Sequence, residues 1–505
     1  MVSINSYQDK LFFNNFFYRF ENKICLFILP QLLQMRNMSE PTKKTELVRG
    51  LSLSAAMMLV AGSMIGSGIF RKPATMADQL GSPELLIFVW IAAGLITLIA
   101  VLVNSEVAGM IDATGGQYVY FRKMYGDFTA YLYGWSILSV IQTGSQAAIA
   151  YAFAEYLGYF FKYPQFSQSW QEFAVYMPLV GNIHPFADFG TKAVAISVIA
   201  FLSGVNYVGV IFGGGVQTIV TFVKIAAILL ITFLLLLLGN GSFSNLYTGT
   251  AASQISSASF LGMLGLAFAG AFWAYDAWNN ITFVSGEVKN PHRNVPLALL
   301  FGSLIVIAVY VLINIAFLYV LPIDEMAKSP LVAASAAEKI FGSSGASLIS
   351  IAVIISTFGA LNGSILSTAR VPFAMARANL FFTSLGKVHP KFGTPSTALL
   401  VQGVWSCVLV LSGSFDMITD YVIFASWLFY MLGALGVFIL RKKMPDVPRP
   451  YKVWGYPYTP AIFVLFAFLF LVNSVISDTQ NAMMGLILVL SGLPFYFFWK
   501  YKKKN

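Results

Sequence analysis

The sequence predicts an all-α membrane protein of about twelve bilayer-crossing helices, and three observations carry that prediction. The 505 residues are 58% hydrophobic and only 10% charged, where a soluble globular chain carries about 25% charged residues. Largely apolar runs of about 18 or more residues recur from Leu51 to Trp499, each long enough to cross a hydrocarbon core of about 30 Å. The loops between them are short, so the length suits one membrane domain and not several soluble domains in series. Such segments must be helices, because lipid offers the backbone no hydrogen-bond partner.

The spans read, in order, as about 51–77, 83–110, 128–158, 190–208, 215–238, 257–285, 295–321, 346–376, 394–413, 416–440, 456–475 and 478–499. A glycine-rich stretch (Gly209, Gly213, Gly214, Gly215) separates the fourth from the fifth and makes twelve a better count than eleven. Residues 1–50 form a leader and tail. Segment 1–37 is rich in Phe and Asn, and its apolar run from Ile24 to Leu33 is too short to span. Translation is expected to begin at Met38. The first ten spans make a core over 51–440; a loop and the last two spans occupy 441–499, and a basic tail ends the chain at 500–505.

The net charge of +10 does not point to nucleic acid. With a cytoplasmic N-terminus, the inner loops and tails after Met38 hold roughly nineteen Lys and Arg and the outer loops about six, the asymmetry of the positive-inside rule. Inner clusters are Arg122-Lys123, Lys289 to Arg293, Arg441-Lys442-Lys443 and Lys502-Lys503-Lys504. They read as headgroup-facing loops. The expected setting is a cell membrane, with both termini cytoplasmic.

The two cysteines, Cys25 in the leader and Cys407 in a span, cannot form a disulfide framework in the core. His184, His292 and His389 are expected in loops, and no spacing of Cys, His and carboxylates resembles a metal site. No GxSxG elbow and no Walker loop occurs. The chain is therefore not expected to be an enzyme, and no cofactor is implied.

Two spans are interrupted. The first reads AMMLVAGSMIGSGIFRKPATMA, with Gly62, Gly66 and Gly68 flanked by Ser63 and Ser67. The sixth reads LGLAFAGAFWAYDAWNNITFVSGEV, with Gly270, Asp276 and Asn279 at similar depth. Glycine lowers the cost of leaving helical geometry. Unwound backbone at that depth is tolerated only where protein or a cavity satisfies it. A half-helix N-terminus presents N–H groups to an anion, and a half-helix C-terminus presents carbonyls to a cation. An amino acid carries that pair of groups. The plainer alternative is that the glycines serve close helix packing. Interruption of both the first and sixth spans is the pattern of inverted five-helix repeats, about 51–238 and 257–440.

Several stretches together resemble the amino acid–polyamine–organocation (APC) superfamily: GSMIGSGIF, AYDAWNN followed by GEVKNPHRNVP, and NGSILSTARVPFAMAR. SEVAGMIDATGGQYVYFRKMYG and RPYKVWGYP sharpen this to the L-type amino acid transporter branch and its bacterial relatives. The resemblance covers about Leu51 to Pro460. It implies the bacterial leucine-transporter fold, alternating access and a central amino-acid site. By position, Ser67 and Gly68 would offer N–H groups to the substrate carboxylate, across Gly66. Met64 and Ile65 would offer carbonyls to its ammonium, completed by carbonyls near Trp273, Ala274 and Asp276. Trp273 would be the aromatic gate, and Asn279 would line the side-chain pocket or shape the turn.

Ionisable residues inside a membrane are costly and need separate reading. Lys224, mid-way along the fifth span, is either a snorkelling or a buried charge. In sodium-independent relatives a lysine here takes the place of a sodium ion, which would have it bridge the unwound first span to Ser364, Ser367 or Thr368. Such a lysine could also carry a proton. Asp276 could attract the ammonium, take part in proton coupling, or cap the second half-helix. Glu106 reads as an inter-helix or inner-gate partner, Glu155 as less special, and Arg370 as paired with an inner carboxylate or with carbonyls. The loop at about 159–189 has no Cys, so a disulfide-linked heavy chain of the animal kind is not expected. The expectation is a sodium-independent exchanger of neutral L-amino acids. The alternatives are a proton-coupled amino acid or polyamine importer and, further off, an ion channel.

Overall fold

A computed structural model of the chain describes residues 50–112, 115–208, 214–247 and 257–504. The leader, with Cys25 and the Met38 start, and the stretch 209–213 lie outside the described residues. Eleven helices among those described are long and apolar enough to cross a membrane: Leu53–Leu80, Pro83–Met110, Asp127–Leu157, Phe189–Val208, Thr218–Leu238, Phe260–Glu287, Pro291–Val320, Val332–Arg377, Phe415–Lys443, Tyr458–Ser477 and Thr479–Tyr501. They correspond to all the expected spans except the ninth. That one is a 17-residue apolar helix, Ser396–Ser412, about 25 Å long at 1.5 Å per residue. It packs on the third and fourth spans, and the ordinal names below count it as the ninth.

Local chemistry sets the helix starts. Ser52, Ser82 and Ser414 each accept a hydrogen bond from the backbone N–H three residues on, which satisfies one of the orphan donors of a first turn. Pro83 occupies the first helical position, and Glu84 and Asp416 lie in first turns, where a negative charge meets the positive end of the helix dipole.

Both expected interruptions are present. The first span is a helix over Leu53–Met64 and another over Gly68–Leu80, with a bend at Ile65, Gly66 and Ser67 between them. In the sixth, the helix Ser257–Tyr275 gives way to a tighter 3-10 stretch, Trp278–Glu287, through Ala277 at φ 67°. This break lies several residues beyond Gly270. Gly270 stays inside the helix, where an added Cβ would stand 3.1 Å from Met76 of the first span, so there the close-packing reading holds.

The third span contains one π-helical turn, Ile137–Ile141, and Thr143 donates its hydroxyl to the Leu138 carbonyl there. The eighth begins earlier than expected, at Val332, and kinks at Gly342 with φ 61°. His292 lies in the first turn of the seventh span and not in a loop. A short helix, Gln117–Tyr125, joins the second and third spans, and a two-stranded hairpin, Val175–Met177 with Gly181–Ile183, stands between the third and fourth. The seventh span packs on both the first and the second, and the second half of the first packs on the sixth. The ends of the broken spans are stitched together: the Leu51 N–H donates to the Glu287 carbonyl and the Lys289 N–H to the Leu51 carbonyl, both at 2.9 Å.

Candidate functional site

The two breaks touch at Gly68 and Ala274. A Cβ on Gly68 would lie 2.6 Å from the Ala274 Cα, a separation only a glycine permits. Gly66 is different: a Cβ there meets nothing nearer than the Met64 carbonyl at 4.0 Å, so packing does not account for it. The Ser67 hydroxyl is buried and makes no hydrogen bond among the described residues. Gly68 opens a new helix, whose first N–H groups have no intrahelical acceptor. The Met64 carbonyl, ending the first half-helix, accepts from the Tyr310 hydroxyl at 2.9 Å. A carbonyl has a second lone pair, so it can still take another donor.

Beside these breaks lies a cavity of about 440 Å³. Gly62 and Ser63 border it from the first span, Ala277 and Asn280 from the sixth, Gln142 and Ser145 from the third, and Asn362, Ser364 and Ser367 from the eighth, with Asn206 from the fourth. Gln142 donates to Asn280 at 3.2 Å, tying the π turn of the third span to the break of the sixth. Its charged lining residues are Glu287 and Arg370, which pair with each other at 3.1 Å. Arg370 also donates to the Leu366 carbonyl, so both partners expected for it are present.

Several residues singled out from the sequence stand elsewhere. Asn279 is turned away from the cavity and donates to Gln117 at 3.0 Å; its neighbour Asn280 faces the cavity instead. Successive 3-10 residues point about 120° apart, and a sequence motif does not say which of two asparagines faces in. The Asp276 carboxylate accepts from the Tyr430 hydroxyl of the tenth span, among Thr97, Trp278 and Trp427. It neither borders the cavity nor caps the 3-10 stretch, whose N-cap is Ala277. Trp273 is buried edge-on against Phe415, ring centroids 6.1 Å apart. Lys224 is 7% exposed and its ammonium has no hydrogen-bond partner among the described residues. It comes within 4.0 Å of where a Cβ on Gly359 would be. The expected bridge to Ser364, Ser367 and Thr368 is not made in this conformation. Those hydroxyls are engaged by amides and carbonyls: Thr368 with Gln146 and Gln402, Ser364 with Gln142 and Gln146, Ser367 with the Gly363 carbonyl.

Beyond the breaks, on the other half of the first span, is an ion-pair cluster that sequence reading missed. Arg71 pairs with Glu155 at 3.1 Å and Asp416 at 3.7 Å; Lys72 pairs with Asp416 at 2.7 Å and Asp420 at 3.7 Å. Both cations lie over the Phe415 ring, the ring that packs on Trp273. The signal was available: Asp416 and Asp420 share one helix face at i, i+4, and Arg71-Lys72 follow the glycine cluster. At the opposite end, Glu106 takes a bidentate contact from Arg441 at 2.9 and 2.7 Å, accepts the Val453 N–H at 2.7 Å, and stands 3.4 Å from Arg449. That matches its reading as an inter-helix partner. Among the described residues no group of three or more His, Cys, Asp or Glu could hold a metal ion.

An interrupted helix pair bordering a cavity with convergent amides and hydroxyls inside an apolar helical protein is the geometry of a small-molecule carrier, and comparison with known proteins agrees. The amino acid permease family matches residues 51–493. The serine/threonine exchanger SteT of Bacillus subtilis (strain 168) is 34% identical over 467 residues, covering 92% of this chain and 100% of its own. The human b(0,+)-type amino acid transporter 1 is 30% identical over 92% of this chain and 91% of its own, and the human large neutral amino acids transporter small subunit 2 is 31% identical over 91% and 82%. The chain belongs to the amino acid permease family, in the APC superfamily and beside its L-type transporters, and is a multi-pass membrane transporter, not an enzyme.

Proposed function

We propose that this protein is a sodium-independent exchanger of neutral L-amino acids, working by alternating access around the breaks of the first and sixth spans. The observation that carries the reading is the cavity. It borders the last turns of the first half-helix at Gly62 and Ser63 and the break of the sixth span at Ala277, its volume suits a small ligand, and its lining carries no charge apart from a Glu287–Arg370 pair that cancels its own. A polyamine would require unpaired carboxylates. In this reading the substrate carboxylate takes N–H groups at Ser67 and Gly68, near Gly66 and the orphan Ser67 hydroxyl. The ammonium takes the free lone pairs at Met64 and Ile65 and carbonyls around Trp273, Ala274 and Asp276. Asn280 and Gln142 meet the side chain, and Trp273 separates the site from the far side.

Leu51, Glu287, Phe392 and Thr394 line the cavity, and in this reading they mark its open end while the Arg71–Glu155–Asp416–Lys72 cluster closes the other. We assign the open end to the cytoplasm, where the termini also lie by the charge asymmetry of the loops, and place the protein in the cell membrane. Exchange then consists of breaking the ion pairs while the cavity closes, with substrate bridging the two half-helix pairs in between. Lys224 supplies the fixed cation that replaces sodium once the bundle moves. The exchangers and transporters of amino acids among the relatives support this reading, as does a loop at 159–189 without a Cys to link a heavy chain.

A proton-coupled reading has one observation in its favour, the unpartnered ammonium of Lys224. Purified protein in liposomes discriminates the two. Uptake of labelled neutral amino acids without sodium, dependent on unlabelled amino acid inside, is the expected result. Uptake into empty vesicles that follows a pH gradient would replace exchange by proton coupling. No saturable flux from folded protein would overturn both.

A further inference from the structure

A second cavity, of about 320 Å³, lies apart from the one at the breaks, between the second and seventh spans and under the segment that follows the tenth. Its floor is a stripe on the seventh span: Arg293, Leu297 and Leu300, spaced i, i+4, i+7 and therefore on one helix face. Leu102 and Ser105 of the second span form the facing wall, and Pro450 and Tyr451 the roof. The slot is thus cationic at one end and aliphatic for two helical turns below it.

Three facts at the cationic end call for an anion. Arg293 is exposed and enters no ion pair among the described residues, unlike Arg441 and Arg449 nearby. His292 lines the slot with it, fixed by its Nδ1 contact with the Gly109 carbonyl at 2.8 Å, and Lys289 precedes Arg293 by four residues. Lys289 and Arg293 flank the N-terminus of a 30-residue helix whose first turn holds no acidic residue. Positive charge there opposes the helix dipole, whereas an anion would be attracted by the dipole and the side chains together.

We infer that this slot binds an anionic phospholipid, its phosphate on Arg293 at the mouth of the seventh span and the start of an acyl chain along Leu102, Leu297 and Leu300. A free phosphate would use only the cationic end and leave the aliphatic stripe unused. The basic loops of the inner face meet the leaflet that carries anionic lipid. The occupant touches the second and seventh spans and the Pro450–Tyr451 segment at once. That segment is held to the second span through Glu106, by Arg441, Arg449 and the Val453 N–H. A bound lipid therefore adds a link between the helices that pack on the broken first span and the strap behind the tenth.

The test is lipid retention by the purified full-length protein, counted by native mass spectrometry after delipidation and titration. Three probes are compared: phosphatidylglycerol, phosphatidylcholine, and glycerol phosphate, which has the anion without the chains. Retention of about one phosphatidylglycerol is expected in preference to phosphatidylcholine, weakened about fivefold by Arg293→Gln, the effect of one basic residue near a membrane surface. Arg293→Lys should keep most of the affinity, and Leu297→Trp, which fills the slot, should reduce it with the charge intact. The melting temperature of each variant in lipid-free detergent confirms folding. Equal competition by glycerol phosphate would overturn the lipid in favour of a small anion. Phosphatidylglycerol retention unmoved by both Arg293→Gln and Leu297→Trp would overturn the site.

Discussion

Gly68→Ala tests whether the contact of the two broken spans is as close as the geometry places it. The new methyl would stand 2.6 Å from the Ala274 Cα and 2.8 Å from its Cβ, where carbon atoms ordinarily rest about 3.5–4.0 Å apart. Neither neighbour is a flexible side-chain end, so the half-helices must part by about 1 Å. Overpacking of that kind costs about 1–3 kcal/mol, a five- to hundredfold change in the folded ratio, roughly. Gly66→Ala is the internal control, because its methyl meets only the Met64 carbonyl at 4.0 Å. It should change stability by no more than about 0.5 kcal/mol while raising KM for the amino acid, since the methyl points into the open ground of the break. The readouts are the fraction surviving heat in detergent, by size exclusion, and counterflow in vesicles. Ala274→Gly in the Gly68→Ala background should restore part of the stability and no more, as it removes the Cβ clash but leaves the Cα. Gly68→Ala as heat-stable and as active as Gly66→Ala would refute the reasoning.

Lys72→Met removes the cation that holds Asp416 and Asp420. The pair is buried at Lys72 and partly open at Asp416, so its loss is worth on the order of 2 kcal/mol. It should shift the protein toward the state open at that end, raising cysteine-reagent access at an engineered site there; unchanged access would count against the cluster as a closure. Trp273→Ala should lower exchange more than it lowers the yield of folded protein, and equal exchange would remove Trp273 as a gate. Lys224→Ala should lower turnover or create an ion dependence, and wild-type behaviour in sodium and in choline buffers would dismiss its role as a fixed cation. Asn280→Ala removes the acceptor of the Gln142 amide N–H and should raise KM, whereas Asn279→Ala should cost about 1–3 kcal/mol of stability with KM unchanged; the reverse pattern would mean the cavity assignment is wrong.

How much was legible in the chain follows from which forces are local. Hydropathy, length and loop charge are properties of single segments, and a bilayer forces an apolar segment of sufficient length into a helix whatever its neighbours. The spans, their order and the break within GSMIGSGIF could therefore be read directly, as could Glu106 as an inter-helix partner and Arg370 as paired with a carboxylate or carbonyls, because a charge at membrane depth must find a partner. Which residue faces which depends on helix rotation and on contacts far apart in sequence. Only the tertiary structure turned Asn280 and not Asn279 to the cavity, carried Asp276 to Tyr430, put the break of the sixth span at Ala277, between Asp276 and Asn279, and left Lys224 beside Gly359. The same holds for the Arg71–Lys72 pairing with Asp416 and Asp420, some 340 residues away: the i, i+4 acids mark a charged helix face, but only the packed structure brings the cations of the first span to it. Periodicity in an all-apolar span is too weak to encode its facing, so the sequence by itself determined the membrane architecture and the family, and the packed helices decided the site.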